Sequence, residues 1–286
     1  MRSGFVAVAG RPNVGKSTLV NALCGEKVAI TSTVPNTTRR RLFGVANGPD
    51  YQLALIDLPG FQRPIDPLTE RMQQTVDASF DDVDAVLLVL DARAHIGAGD
   101  RFVARRVFGL QKPVIIALNK VDRLKPAHIA TQMKAAAVLG DFHALHPVSA
   151  KTKEGVSELR DDLVVLLPEG PLYFPAGQRT DLALDERIAE VIREKALHLT
   201  REEVPHALTV EVEEIEERRL RAVVYVETES QKGILVGKKG ATVREIGTRA
   251  RPEVEALVGH PVFLELTVKV RPKWRRDPRM LERLGL

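Results

Sequence analysis

The stretch Gly10-Arg11-Pro12-Asn13-Val14-Gly15-Lys16-Ser17 decides the fold of this chain. It fits the pattern G-x-x-x-x-G-K-[ST], directly after the apolar run Phe5–Ala9 and directly before a helical pattern. In such a loop backbone N–H groups curl around phosphates, the lysine reaches the β- and γ-phosphate oxygens, and the serine ligates Mg²⁺. The other interpretation, a chance glycine-rich turn, is disfavoured by an eight-residue match in this context. The sequence therefore predicts a P-loop nucleotide site.

Short apolar runs alternate with helical patterns from residue 5 to about 167. The runs are Phe5–Ala9, Gln52–Ile56, Ala85–Leu90, Val114–Leu118 and a weaker His143–Val148, with helical spacing near 17–24, 68–79, 98–109, 127–139 and 155–167. Continuous Val/Ile/Leu strands between helices indicate a parallel sheet covered on both faces. Leu42–Val45 and Gln52–Ile56 flank Gly48-Pro49-Asp50 and predict a hairpin at the sheet edge.

A second motif, Asn119-Lys120-Val121-Asp122, favours guanine over adenine as the bound base. The Asp122 carboxylate can accept from N1–H and from the exocyclic amine of guanine, while the Lys120 stem lies along the base. Adenine lacks those donors, and sites of this kind reject the wrong partner by roughly 10⁴-fold or more. Ser149-Ala150-Lys151 follows the next apolar run and offers a backbone N–H to guanine O6.

The motif Asp57-Leu58-Pro59-Gly60 and the loop containing Thr37 and Thr38 predict the metal site and the two switch segments. Asp57 would hold Mg²⁺ through water, and the Gly60 N–H would sense a γ-phosphate. We favour Thr38, beside Arg39, as the hydroxyl that completes the Mg²⁺ shell. Segments ordered by a γ-phosphate and released on hydrolysis make such a domain a switch. Leu58, Pro59 and Phe61 are expected to bind GTP together with Asp57 and Gly60. Phe61 stands where Ras-like proteins carry the glutamine that orients the attacking water.

The remainder of the chain predicts a second, smaller domain. Pro and Gly are dense between Pro168 and Gly177, so we place the G domain at 1–167, a linker at 168–180 and the second domain at 181–286. A helix is expected over Leu184–Leu199 with Asp181 as its N-cap. Strands are expected at Leu208–Ile215, Arg221–Glu227 and Val262–Val270, and a further helix at 241–258.

Gly237-Lys238-Lys239-Gly240, which follows the apolar Ile234-Leu235-Val236 and precedes the helix at 241–258, fits the G-x-x-G loop with which KH domains clamp single-stranded nucleic acid. The alternative is a tight turn between helices with solvated lysines. Basic residues also crowd around Trp274, which either stacks on a base or packs the tail onto the domain; the sequence leaves both open. The candidate RNA-binding residues are Ile234, Val236, Gly237, Lys238, Lys239, Gly240, Thr242, Arg244, Lys269, Arg271, Lys273, Trp274, Arg275 and Arg276.

Composition and charge narrow the class of protein further. The chain has 286 residues, 44% hydrophobic and 28% charged, which is an ordinary globular composition of about two domains. Its formal charge of +4 hides an acidic stretch at 169–220 and a strongly basic one at 221–286, which predicts an acidic partner. A single cysteine, Cys24, allows no internal disulfide and indicates a reducing, cytoplasmic compartment.

These motifs resemble, from end to end, those of the Era family of bacterial GTPases. The likeness rests on G-R-P-N-V-G-K-S, N-T-T-R, D-x-P-G, N-K-V-D, V-S-A, V-G-K-K-G and L-E-L-x-V-K-V at 264–270. Leu58 stands where threonine is more usual, and Ser230 where the family has glycine; little effect is expected from either. The implied fold is α/β, a P-loop GTPase domain with a mostly parallel sheet followed by a smaller α+β KH type II domain.

The resemblance implies a monomeric GTP-hydrolysing switch that binds 16S rRNA near its 3′ end and acts in assembly of the small (30S) ribosomal subunit. It implies GTP/GDP and Mg²⁺ as ligands, with Thr38, Asp57 and Gly60 supporting hydrolysis. It further implies slow turnover alone, stimulated by K⁺ at Asn13 or by a ribosomal partner, and peripheral association with the inner face of the cell membrane. Two other classes share some of these motifs: a GTPase serving tRNA modification or membrane transport, and a P-loop kinase or ATPase with an unrelated basic domain.

Overall fold

The chain folds into two compact units, described by a computed structural model that covers residues 1–286. The first unit comprises Met1–Thr31, Pro35–Ile65 and Thr69–Asp181. The second comprises Leu182–Leu286 with the short segments Ser32–Val34 and Asp66–Leu68. Each unit has its own β-sheet.

The sheet of the first unit has six strands. They are β1 (Arg2–Ala9), β2 (Leu42–Asn47), β3 (Tyr51–Asp57), β4 (Ala85–Asp91), β5 (Val114–Asn119) and β6 (Ala144–Val148). Their order is β2-β3-β1-β4-β5-β6, and β2 alone runs antiparallel to its neighbour. The predicted parallel sheet and its edge hairpin are thus confirmed.

Helices cover both faces of this sheet. They are α1 (Lys16–Cys24), α2 (Pro67–Ala78), α3 (Ala98–Phe108), α4 (Pro126–Ala137) and α5 (Val156–Val165). Side chains of a strand alternate between faces, so Leu87 joins the core under α1 and α5 while Leu88 joins the core under α2, α3 and α4. Both leucines are fully buried, and burial of such a side chain stabilises the fold by about 1.5–3 kcal/mol.

The parallel register brings the motifs to one edge of the sheet. Val8 pairs with Asp57, Asp91 pairs with Asn119, and Asn119 pairs with Val148, each at or next to the carboxyl end of its strand. Loops that leave parallel strands at their carboxyl ends form the ligand crevice of such folds. The P-loop and the segments that follow β3, β5 and β6 therefore lie together at this edge of the sheet.

The segment 168–181 is bonded along the first unit. Ser3 donates its backbone N–H to the Pro168 carbonyl at 3.0 Å, and Val45 donates to the Arg179 carbonyl at 2.8 Å. The buried Gln52 side chain accepts the backbone N–H groups of Tyr173 and Phe174 at 2.8 and 2.9 Å. A segment that the sequence assigns to a linker is thus held by hydrogen bonds along its length.

The second unit contains a three-stranded sheet and five helices. In chain order they are α6 (Leu184–Leu199), α7 (Val204–Ala207), β7 (Thr209–Ile215), β8 (Arg219–Val226), α8 (Glu229–Val236), α9 (Ala241–Val258), β9 (Phe263–Val270) and α10 (Pro278–Arg283). The strand order is β7-β8-β9, with β7 antiparallel and β9 parallel to β8. The sequence predicted neither α7 nor α10, which are too short to show a helical period. No helix in either unit has the length and apolar character needed to span a bilayer.

One sequence expectation about this unit is wrong, and of the two roles that the sequence leaves open for Trp274 the structure shows packing of the tail. Asp181 does not cap α6, because the helix starts after Ala183 and Glu186 accepts the Ala183 N–H at 2.9 Å. Asp181 instead accepts the backbone N–H of Phe43 at 2.8 Å. Trp274 does not present its ring to a base: it is fully buried, and its indole N–H donates to the Ala207 carbonyl at 2.6 Å.

Candidate nucleotide site and RNA-binding surface

The P-loop connects β1 to α1 through left-handed backbone at Asn13 and Gly15. A Cβ at Gly15 would lie 2.4 Å from Asn119 Nδ2, so no other residue fits there without displacing that side chain. Lys16 folds back over the loop and donates to the carbonyls of Gly10 and Arg11 at 3.1 and 3.0 Å. The loop thereby holds its lysine in place from within.

Burial lowers the pKa of Lys16 to about 8, an effect that the nearby Asp57 charge only partly offsets. An ammonium group in this position lacks solvent and has one buried carboxylate for compensation. Phosphate oxygens would supply the missing negative charge. The site is therefore electrostatically prepared for a polyanion rather than for a neutral ligand.

Three oxygen-bearing side chains converge where the sequence places Mg²⁺. Ser17 Oγ donates to Asp57 Oδ2 at 2.6 Å, Thr38 Oγ1 lies 3.0 Å from Ser17 Oγ, and Thr38 donates to the same carboxylate oxygen at 3.2 Å. Burial raises the pKa of Asp57, and hydrogen bonds from Ser17 and Thr38 and the Lys16 charge oppose that rise. The other carboxylate oxygen, Oδ1, is buried without a hydrogen-bond partner. Hard oxygen donors with an orphaned carboxylate oxygen fit Mg²⁺.

The segment after β3 offers only its backbone to a nucleotide. Leu58 is fully buried and Phe61 is 6% exposed, and both belong to the core under α2, α3 and α4. Phe61 stacks on Phe80 with ring centroids 5.9 Å apart, and its N–H donates to the Gly10 carbonyl at 3.4 Å. The expectation that Leu58 and Phe61 bind nucleotide is therefore limited to their peptide groups.

The Asn119 side chain ties the base-binding loops together. Its Nδ2 donates to the Val14 carbonyl at 2.9 Å, and its Oδ1 accepts the N–H groups of Lys120 and Ala150 at 2.8 and 3.0 Å. Asn119 is 1% exposed, and a buried amide with these partners is costly to replace. One side chain thus fixes three motifs relative to one another.

Next to Asn119 lies a cleft of about 310 Å³ whose lining includes Gly15, Lys120, Asp122 and Lys151. Ser149 Oγ donates to Asp122 Oδ1 at 2.9 Å and accepts the Thr152 N–H at 3.1 Å. This bond orients the Asp122 carboxylate and leaves Oδ2 to accept from a base. The cleft brings together the residues that the sequence assigns to guanine.

The sequence did not predict Thr18, Arg93 and Arg123, which line this cleft, or Asp91, which bonds the cleft residue Lys120. Asp91 Oδ2 accepts from Lys120 Nζ at 2.8 Å and from Arg93 Nη2 at 2.9 Å, and Lys120 also donates to the Asn13 carbonyl. Burial alone would raise the pKa of Asp91, but the hydrogen bonds from Arg93 and Lys120 outweigh it and hold the pKa below its usual value. Asp91 therefore positions the Lys120 stem. The sequence feature that could have indicated this role is the position of Asp91 at the end of the buried strand β4.

The G-x-x-G loop of the second unit lies between α8 and α9. Gly237 has a φ of 71°, and a Cβ there would lie 2.2 Å from Thr242 Oγ1. Lys238 and Lys239 are exposed and form no ion pair, and Arg244 is likewise exposed at the start of α9. The apolar Ile234 of α8 is 48% exposed. Two unpaired cations beside an exposed apolar side chain suit a nucleic-acid backbone with its bases.

Several cations of the basic tail form ion pairs with carboxylates, which the sequence alone does not reveal. Lys269 bonds Glu213 at 2.9 Å, Arg271 bonds Asp277 at 2.9 Å, and Arg275 bonds Glu227 at 2.8 Å. Lys273 and Arg276 are exposed and hold no carboxylate. Trp274 is buried, and among the candidate RNA-binding residues of the tail Lys273 and Arg276 are the cations without an ion pair.

This geometry defines a P-loop protein with a guanine-selective pocket, joined to a KH fold. A family model described as "50S ribosome-binding GTPase" matches residues 5–120, and a KH domain model matches residues 203–275. The chain is 42% identical over 290 residues to the GTPase Era of Heliobacterium modesticaldum, covering 100% of this chain and 97% of that protein. It is 45% identical over 300 residues to the GTPase Era of a Nocardioides species, covering 99% and 96%.

Solved structures agree over the whole chain. A single-residue variant of Aquifex aeolicus Era bound to GDP·AlF₄⁻ has a TM-score of 0.96 at 38% identity, covering 100% of this chain and 99% of that one. Era in complex with MgGDPNP and nucleotides 1506–1542 of 16S ribosomal RNA has a TM-score of 0.94 at 38% identity, with the same coverage. The chain belongs to the Era family of GTPases.

Replacing Asp91 by Asn should weaken guanine-nucleotide binding by about tenfold, because it removes the charge that holds Lys120 in place. Titration of a fluorescent GDP analogue measures this. Asp77→Asn, which removes the carboxylate of an exposed ion pair with Arg106, is the matched control and should bind normally. Equal affinities for both variants would contradict the positioning role of Asp91.

Nucleotide binding should take up protons near pH 8. With a pKa of about 8, roughly half of the Lys16 side chains are neutral at that pH, and bound phosphate restores their charge, so about half a proton enters per GDP bound. As pH rises further, affinity should fall. Calorimetry in buffers of different ionisation enthalpy measures the uptake. Lys16→Arg stays charged throughout, so undiminished uptake in that variant would assign the proton to another group.

Proposed function

We propose that the protein is a GTP-hydrolysing switch that binds 16S rRNA through its KH domain and acts in assembly of the small ribosomal subunit. The observation that carries the proposal is the convergence of three side chains. Thr38, from the loop before β2, and Asp57, at the end of β3, both lie within hydrogen-bond distance of Ser17 of the P-loop. A γ-phosphate with its Mg²⁺ would hold these segments, and hydrolysis would release them.

In the proposed reaction the chain contributes positioning and charge. Ser17, Thr38 and Asp57 would hold Mg²⁺, which would supply positive charge to offset the charge of the phosphates. Lys16 and the P-loop peptide groups bind the phosphates, and the Gly60 N–H would donate to the γ-phosphate. Asn119, Lys120 and Asp122 hold the base, and the bond from the Ala150 N–H to Asn119 Oδ1 keeps the Ser149–Lys151 loop beside it. A kinase or ATPase is disfavoured because Asp122 would remain unpaired beside adenine.

The RNA half of the proposal rests on the G-x-x-G loop and on the solved relative. Lys238 and Lys239 are free to neutralise phosphates, and the glycines on either side permit close approach. The Era structure that holds nucleotides 1506–1542 of 16S rRNA supports the 3′ end of that RNA as the ligand. We also propose that the protein is a cytoplasmic monomer and that it associates peripherally with the inner face of the cell membrane.

Replacing Lys238 and Lys239 by Glu should abolish binding of an RNA equal to nucleotides 1506–1542 while leaving GDP affinity unchanged. The side chains are exposed, so the fold is spared, whereas Gly237→Asp adds a clash with Thr242. Filter binding measures the RNA, and Arg201→Glu, an exposed change elsewhere in the same unit, is the control. Unchanged RNA affinity in the double variant would overturn the assignment of the loop.

We further propose slow intrinsic hydrolysis stimulated by K⁺ through Asn13 or by the ribosomal partner. The support is the position of Phe61, whose ring packs in the core and leaves no side chain there to orient the attacking water. Additional positive charge near the phosphates would then stabilise the transition state. GTP turnover should be faster in potassium than in sodium buffer, and Asn13→Ala should remove that difference. Equal rates in both salts for the unaltered protein would refute it.

A further inference from the structure

The helical layer formed by α3 and α4 carries a concentrated positive charge that the nucleotide site does not explain. Residues 93–140 contain nine lysines and arginines but only two aspartates, Asp100 and Asp122. Asp100 is 6% exposed and bonded to Arg11 at 3.0 Å, and Asp122 lies in the base-binding cleft. No exposed carboxylate lies within this stretch, although the exposed Asp77 of α2 pairs with Arg106 and the exposed Asp141 follows directly, so the stretch carries a clear excess of positive charge.

Five of the nine cations have no role elsewhere in the molecule. Lys120 and Arg93 serve the nucleotide cleft, Arg106 pairs with Asp77, and Arg123 lies 3.8 Å from Asp122. The remaining five, which form no ion pair, are Arg101, Arg105, Lys112, Lys125 and Lys134. We refer to this set together with Phe102 as the α3–α4 basic face.

Arg101, Arg105 and Lys134 lie on two helices that cover the same side of the sheet, while Lys112 and Lys125 lie in the segments before β5 and α4. Val103 and Val107 of α3 and Ala136 of α4 are buried in the same core against β4 and β5, so the opposite sides of both helices face solvent together. Arg101 and Arg105 are four residues apart and project from the same helix face. Between them Phe102 is 47% exposed. An exposed aromatic ring among arginines is an arrangement suited to stacking on an unpaired base.

We propose that the α3–α4 basic face binds the sugar-phosphate backbone of rRNA outside the 3′-terminal segment assigned to the KH domain, with Phe102 stacking on an unpaired base. The inference rests on the proposed function, since it gives the GTPase domain its own contact with the same RNA. Guanidinium groups recognise phosphate in a bidentate manner and stack on bases. RNA supplies both the phosphates and the bases that this face would contact.

An anionic membrane fits the face less well. Stable interfacial binding needs an apolar helix face inserted among the lipids, but the apolar faces of α3 and α4 are used in the core. Phe102 and Val138, at the end of α4, are the large apolar side chains that these two elements expose. Isolated apolar side chains among cations provide charge attraction without an inserted surface.

Arg101→Ala combined with Arg105→Ala is the test of this inference. Affinity for complete 16S rRNA or purified small subunits should fall about tenfold, and the slope of log affinity against log salt should become shallower by about 1.4 for two lost phosphate contacts. Affinity for the RNA of nucleotides 1506–1542 and for GDP should stay unchanged. Phe102→Ala should weaken binding of the large RNA without altering the salt slope.

Ser157→Glu with Val165→Glu is the matched control, because it lowers the net charge equally at exposed positions on α5, across the sheet. Unchanged large-RNA affinity in the arginine variant, or an equal loss in the control, would overturn the inference. Loss of binding to phosphatidylglycerol vesicles with intact RNA binding would also overturn it, in favour of a membrane. Failure of the proposed function would be seen in a different experiment. In that case the variant with Lys238 and Lys239 replaced by Glu would bind the short RNA as tightly as the unaltered protein does.

Discussion

The hydrogen bonds of one buried amide, Asn119, are the constraint on which the nucleotide site depends. Through Val14, Lys120 and Ala150 this side chain fixes the P-loop and both base-binding loops as one body. The parallel sheet makes the arrangement possible, since it delivers the carboxyl ends of β1, β5 and β6 to the same edge. Asp91 extends the network by holding the Lys120 stem from β4. Selectivity for guanine is thus a property of a rigid frame rather than of Asp122 alone.

The burial of charged groups explains why ligand binding would stabilise the phosphate end of the site. Lys16 and Asp57 are both buried, and burial shifts the pKa of each toward its neutral form. Ser17 and Thr38 share one oxygen of Asp57 while the other has no partner. Such a cluster gains most from ligands that complete it, a cation beside Asp57 and an anion beside Lys16. In the proposed switch, the same residues would bind the ligand and transmit its presence to the Thr38 segment.

The two units use positive charge in different ways. In the first unit the phosphate lysine is buried and held by carbonyls, whereas Lys238 and Lys239 of the second are exposed and unpaired. A buried lysine within a closed loop suits a short phosphate chain, and exposed lysines on an open loop suit a long polymer. The five cations of the α3–α4 basic face likewise form no ion pair, although this face belongs to the first unit.

The sequence by itself determined the alternation of strands and helices, the P-loop, the guanine motif and the G-x-x-G loop. These are local patterns whose chemistry depends on spacing along the chain. Only the tertiary structure decided the roles of Trp274, Asp181 and the basic tail, because hydrogen bonds with Ala207 and Phe43 and an ion pair with Glu213 join residues distant in sequence. It also decided the role of Asp91, whose partner lies 29 residues away. A periodic pattern shows that a side chain is apolar or charged, but its partners are set by packing between elements.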